Sequence, residues 1–434
     1  MVVAVAAATL LSGVSAAPIV AAEPLLQNVP MVGTLTTPPT TSECLTNYGI
    51  HCYQPAQFEK AYDLTPLHSH GIDGRGETIA IVDSFGSPTI ANDLHVFDQT
   101  FGLPDPPSLK IVTPAGAIPP FDPTNDDMVG WAEETTLDVE WSHVFAPGAN
   151  ILLVETPVSE TEGVTGFPEI VKAENYVIDH NMADVISQSF GATEETFPSA
   201  ASLLNLRSAF LNAHAHHVTV LGASGDAGAT DYELNLSDLY PYRVDSWPST
   251  DPLVTSVGGT QLTLDDAGNR LAPDVVWNDG YGAGGGGVSS IFGRPSFQNG
   301  VRSVVDGRRG TPDISLSAAV DGAVVFYFTF IPGLEGYHLV GGTSEATPEF
   351  AGIVAMADQV AHHRLGLIND DLYALRGHDG IVDVTQGNNS FGPFTNSDGN
   401  TYTVVGYQAR RGYDLASGLG TLDAAAFVPA LAGH

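Results

Sequence analysis

Four short runs of β-branched and aliphatic residues stand out along the chain: Thr78 to Phe85 (TIAIVDSF), Ile151 to Thr156 (ILLVET), Asp184 to Phe190 (DVISQSF) and Val218 to Gly225 (VTVLGASG). Their apolar residues are consecutive rather than alternate, the pattern of strands covered on both faces. Segments with helical spacing lie between them, notably about Trp131 to His143 and Pro198 to His216. Strands alternating with helices predict an α/β fold with a mainly parallel central sheet flanked by helices. In such folds ligands collect beyond the carboxyl ends of the strands, so the residues that follow each run are the ones to inspect.

The first 22 residues are apolar and Ala-rich, interrupted by Gly13, Ser15 and Pro18. They read as the hydrophobic and cleavage regions of a secretion signal without a basic start, in preference to a membrane anchor. A Pro- and Thr-rich linker follows, from about Pro24 to Ser42. Cys44 and Cys52 are the only cysteines, and export would let them close a small disulfide loop. Residues 1–22 are thus expected to be a signal, 23–52 a linker with the cysteine loop, and 53–434 a single domain acting as a monomer. No other run reaches about 18 uninterrupted apolar residues, so no membrane segment is expected in the mature chain.

Composition narrows the choice of partner. Fifty Asp and Glu against 15 Lys and Arg give a formal charge of −35, which repels phosphates and argues against nucleic acid. With 43% apolar residues, the chain is also unlike a disordered acidic tail. The charge suits an acidic medium, where most carboxylates hold protons.

Three segments carry candidate chemistry. In Gly341-Gly342-Thr343-Ser344-Glu345-Ala346-Thr347-Pro348 a serine enters a helix after a glycine turn, where backbone N–H groups favour developing negative charge. Pro348 is expected in the first turn of that helix, where a missing N–H matters little. An ordinary N-cap serine fits the octapeptide equally well. In WAEETTLDVEW, Glu134 and Asp138 are four residues apart, which puts both carboxyls on one helix face about 40° apart. Buried together, they would share a proton and work as an acid/base pair; a solvated acidic face is the alternative. Asp226 lies in Ala223-Ser224-Gly225-Asp226-Ala227-Gly228, directly after a strand. If protonated it can donate to an oxyanion, although Asp and Gly also favour turns regardless of function. A formal G-x-G-x-x-G in Gly282 to Gly287 follows no strand and opens no helix, so a pocket wall is expected there and not a nucleotide loop.

In this order, the acidic helix, the S-G-D-x-G turn and G-T-S-x-x-x-P resemble the sedolisin family of serine-carboxyl peptidases, which share the subtilisin-like fold but replace the histidine base with glutamate. The likeness covers nearly everything from Tyr53 to Gly433, through SVGGT (Ser256 to Thr260), GGGGVSSIFGRPSFQ (Gly284 to Gln298) and TPDIS (Thr311 to Ser315). It implies a secreted endopeptidase acting on polypeptides at acidic pH. Ser344 would be the nucleophile, Glu134 the base, Asp138 its orienting partner and Asp226 the oxyanion donor, with Asp83 an outer acidic partner. Ser189, Phe190 and Gly191 would meet substrate backbone. The resemblance further implies one Ca²⁺, held by Asp383 and Asp414 and by the carbonyls of Val384, Arg410 and Gly412. Three features depart from the family pattern. Phe190 replaces a tryptophan that serves a proton relay, Arg410 replaces a glycine, and only about 30 residues stand where a long prodomain is usual. A catalytically silent secreted protein that keeps the fold as a binding or structural module is the rival reading.

Overall fold

The computed structural model describes residues 27–29, 35–378 and 380–434, so the expected signal at 1–22 lies outside the described residues. The apolar runs form the heart of one eight-stranded sheet: β1 (Thr78–Ser84), β2 (Leu109–Val112), β3 (Asn150–Thr156), β4 (Val185–Gln188), β5 (Thr219–Ala223), β6 (Thr255–Gln261), β7 (Val275–Val276) and β8 (Ile314–Ser317). The order is β7-β6-β5-β4-β1-β3-β2, with β8 also paired to β6. All pairings are parallel except β6 with β7. The first run stops one residue earlier than its pattern suggests, because Phe85 adopts φ of 59° and turns the chain away from the sheet.

Alternate residues of each strand enter two different cores, which explains the unbroken apolar runs. Ile79, Ile81, Ile151, Leu153, Val185 and Leu221 meet one set of helices. Ala80, Val82, Leu152, Val154, Ile186 and Val220 meet another. The first set contains α1 (Asp126–Phe145) and, from the far end of the chain, a helix at Thr343–Ala361. The second contains α2 (Phe167–Asp179) and α3 (Ser208–Ala215). We number Thr343–Ala361 as α4. The single helix expected from Pro198 to His216 is in fact two, Ala200–Leu204 and α3. At the break Leu206 turns into the core, and the Arg207 guanidinium binds Asp251 through Nε at 2.5 Å and Nη2 at 2.8 Å.

A smaller four-stranded sheet joins Gln27–Asn28, Gly336–Gly341, Ala323–Phe328 and Cys52–Tyr53 in that order. Part of the expected linker therefore belongs to the fold: Gln27 pairs with Gly341, and Asn28 donates to Glu133 at 2.7 Å. Cys44 and Cys52 form the expected disulfide beside this sheet.

Candidate active site

Asn125 starts α1 by accepting from Asp127 N (3.0 Å) and Met128 N (3.2 Å), and Asp126 and Asp127 favour the positive end of the helix dipole. The helix then passes through the interior, and its residues from Glu134 to Phe145 are all buried. Leu137 and Val139 are fully buried on either side of Asp138, so the acidic face is enclosed and not solvated. Glu134 and Asp138 are fully buried as well.

Burial is the main force holding the Glu134 carboxyl far above its ordinary range, reinforced by the negative neighbours Asp138 and Asp83. The Ser344 hydroxyl pulls in the opposite direction, which places it beside this carboxyl, although neither Glu134 oxygen has a hydrogen bond within 3.5 Å. Catalytic contacts of this kind often tighten only when substrate binds. Asp138 is raised by burial and by Asp83, while donors oppose this, chiefly Ser189 Oγ at 2.9 Å. Asp83 at the end of β1 is pushed up to about 7 by burial, with Thr135 of α1 as its opposing donor. The three carboxyls therefore form one cluster in which full ionisation is strongly disfavoured.

Ser344 is the second residue of α4, immediately after the strand Gly336–Gly341 and the N-cap Gly342. Pro348 is the sixth helical residue, not a first-turn residue as expected, so its missing N–H leaves the carbonyl four residues back unpaired within the helix. That carbonyl belongs to Ser344, and Ser189 Oγ approaches it at 3.5 Å. The Ser344 hydroxyl in turn lies 3.4 Å from the Ser189 carbonyl. The proline thus frees the nucleophile's own peptide to meet the end of β4. Lower in α4, Gly352 allows the two helices to touch, since a Cβ there would come within 2.6 Å of the Phe145 Cβ.

Asp226 follows β5 and faces the same turn. Its Oδ1 accepts from Thr343 N and Thr343 Oγ1, both at 2.8 Å, while Oδ2 is buried and has no partner. Burial pushes this carboxyl up to about 8 against those two donors, so near neutrality Oδ2 carries a proton it can donate. Thr343 also accepts from Gly225 N at 3.2 Å. It ties the aspartate turn to the serine turn, a role that only its place in the motif could have suggested.

The glycine run supports this turn and does not line an open wall. Gly285 N donates to the Gly225 carbonyl at 2.6 Å, and a Cβ on Gly285 would stand 1.9 Å from the Ser224 carbonyl oxygen. Of the residues expected to meet substrate, Ser189 turns its hydroxyl to Asp138. Phe190 is fully buried between Trp131 and Phe167, each ring 6.2 Å away. Gly191 is buried against the Trp247 carbonyl. Any contact of these three with a ligand would use their backbone.

A model described as the subtilase family matches residues 128–375, more than half of the chain and the span that holds Glu134, Asp138, Asp226 and Ser344. The chain belongs to the subtilase family. Its curated relatives include kumamolisin of Bacillus sp. (strain MN-32), 32% identical over 378 residues, which cover 85% of this chain and 62% of kumamolisin. Sedolisin of Pseudomonas sp. (strain 101) is 31% identical over 387 residues, covering 86% of this chain and 60% of sedolisin. The chain therefore spans about three fifths of the length of these relatives. A solved structure of Pseudomonas sedolisin (serine-carboxyl proteinase), complexed with two molecules of pseudo-iodotyrostatin, superposes with a TM-score of 0.69 at 28% identity. That match covers 87% of this chain and 97% of the other. The fold is subtilisin-like, and within the subtilase family the sedolisins are the relatives of this chain.

This subtilase sets a glutamate beside its serine, while the histidine of the same helix, His143, points to the Pro104 carbonyl at 2.7 Å. The segment expected to hold calcium gathers hard oxygens. Asp383 accepts from Gly412 N at 2.9 Å, and Asp414 accepts from Arg410 N at 2.7 Å, so both carboxylates flank residues 410–412. Among the described residues no group of three or more His, Cys, Asp or Glu forms a metal cluster. A cation here would rest on two carboxylates with carbonyls and water, a donor set that suits Ca²⁺.

Proposed function

We propose that the chain is a serine-carboxyl endopeptidase that hydrolyses polypeptides at acidic pH. Carrying this reading is the convergence at one turn of the Ser344 hydroxyl, the enclosed Glu134 carboxyl and the unpartnered Oδ2 of Asp226. Ser344 Oγ attacks the scissile carbonyl carbon and its proton passes to Glu134, an ionised member of the carboxyl cluster in the reactive state. Asp138, oriented by Ser189, holds Glu134 in place, and Asp83 completes the cluster as an outer acidic group. Oδ2 of Asp226 donates its proton in a hydrogen bond to the developing oxyanion. Glu134 then returns a proton to the leaving amine, and water resolves the acyl-enzyme with Glu134 again as base.

Acidic working conditions follow from the burial of these carboxyls, because the site needs Asp226 protonated and the cluster part protonated. Backbone groups of Ser189, Phe190 and Gly191 are proposed to pair with extended substrate, which gives affinity with little side-chain selectivity. One Ca²⁺ is proposed at Asp383 and Asp414 with the carbonyls of Val384, Arg410 and Gly412, where it would balance two carboxylates and brace the loop. Export of a monomeric domain is the matching location, and no helix among the described residues is long and apolar enough to cross a membrane.

Digestion of a denatured protein at acidic pH tests the reading, with Ser344→Ala as the control. Wild type should cleave and the variant should lose activity by about 10³-fold or more. No cleavage by either protein, or equal cleavage by both, refutes the assignment.

A further inference from the structure

Directly behind Ser344, α4 carries Glu345 and, one turn on, Glu349. Both side chains are fully buried, and none of their four carboxyl oxygens has a hydrogen-bond partner within 3.5 Å. Four residues apart on one helix, they share a face and act on each other. The groups facing Glu345 are the Ser317 hydroxyl at the end of β8, Asp226 and, more remotely, the Tyr53 phenol. Glu349 is faced by Tyr62, whose own neighbours are Asp274 and Arg270. Arg270 is committed to Asp274, at 2.9 and 3.0 Å. Across α4, the elements α1 and β1 contribute Glu134, Asp138 and Asp83, all carboxyls. No cation acts directly on either glutamate. The catalytic cycle described above leaves both unused.

We propose that Glu345 and Glu349 are positioning residues for Ser344: as a neutral pair they let the first turns of α4 seat against β8 and Asp226, and ionisation drives those turns off their seat. An unpaired buried carboxylate is costly, and two on one face repel each other as well. Burial raises both carboxyls far above their ordinary value of 4.5, with Asp226 adding to Glu345 and Glu345 adding to Glu349. For a carboxyl raised by folding, its contribution to stability is whole below the unfolded value and is lost as pH rises toward the folded one. The pair therefore weakens α4 progressively above about pH 4.5. Helix α4 is a device that seats the nucleophile in acid and releases it toward neutrality.

The test compares Glu345→Gln, Glu349→Gln and their combination by denaturant unfolding from pH 4 to 7. It uses the Ser344→Ala background, where self-digestion is prevented and the peptidase reading plays no part. Each substitution should remove about a tenfold change in the folding equilibrium constant per pH unit above pH 4.5, with little effect at pH 4. In the active chain, which rests on the proposed peptidase function, the alkaline limb of kcat should move up while KM holds. If the combined variant keeps the pH dependence of its parent, the proposal is overturned. Glu345→Ala with Glu349→Leu guards against amide-specific misfolding: folding at pH 4 with a flattened pH profile supports the proposal. Failure of every variant to fold at pH 4 refutes it, because the acids would then be required and not merely tolerated. A chain that never cleaves but shows the flattened profile defeats the peptidase reading alone.

Discussion

Replacing Asp226 by Asn and by Ala separates its two tasks, since Oδ1 anchors Thr343 and Oδ2 holds the proton offered to the oxyanion. Asn keeps an acceptor where Oδ1 stands and places an N–H donor where the acid proton was. Ala removes both. Loss of one oxyanion donor lowers kcat by about 10² to 10³. Ala should also leave the Thr343 N–H and hydroxyl without their buried acceptor, at about 1–3 kcal/mol for each unsatisfied group. Asp226→Ala is therefore expected to lose both activity and stability, while Asp226→Asn stays within about tenfold of wild type at acidic pH.

The two variants also differ from wild type in their response to pH. Folding raises Asp226 from an ordinary 3.8 to about 8, so its contribution to stability is complete below 3.8 and falls as pH rises toward 8. At pH 7 the unfolded chain has ionised about three pH units past its midpoint, which destabilises the fold by about 4 kcal/mol at about 1.4 kcal/mol per unit. The group is fully buried, so solvent screening takes little from this figure. Asp226→Asn removes the ionisation and should be more stable than wild type at pH 7 by about that amount, with no comparable gain at pH 4. Urea unfolding at both pH values, with kcat and KM measured on one chromogenic peptide, reads every term. Equal activity losses in Asn and Ala, together with an Asn variant that keeps the wild-type pH dependence of stability, would falsify the assignment.

Other expectations follow from buried groups outside the site and from the loops. Glu174 of α2 is fully buried, takes one hydrogen bond from Gln188, and is pushed up to about 8 by burial. Glu174→Gln should gain about 3 kcal/mol at pH 7 and little at pH 4; an equal effect at both would show that its ionisation does not limit stability. Chelation should lower the melting temperature of wild type and leave that of Asp383→Asn unchanged, and a transition indifferent to chelator argues that the loop holds no Ca²⁺. Cys44 and Cys52 close a loop of eight-residue separation, so reduction should destabilise the chain by about 2–3 kcal/mol, checked by unfolding with and without reductant.

What could be read from the chain, and what could not, divides along a physical line. Strands β1, β3, β4 and β5 were legible because burial on both faces demands unbroken aliphatic runs, and the Glu134/Asp138 pair because helix geometry alone puts i and i+4 on one face. Pro348 shows where local reasoning fails: its effect depends on which residue begins α4, and a shift of the start by a few positions turns a harmless proline into one that frees the Ser344 carbonyl. Thr343 and the Gly285 contact depend on segments more than 50 residues away, which no local pattern encodes. Protonation lies further still from sequence. Glu345 and Glu349 sit in a stretch, SEATPEF, that would pass for an exposed helix start, and only enclosure by β8, Tyr62 and the aspartate turn makes them neutral acids. A charge of −35 counts each as a negative group, yet inside the fold the same residues are uncharged spacers until pH ionises them. The acid tolerance of the molecule therefore lies less in its carboxylate-rich surface than in how many carboxyls its core has enclosed without a cation.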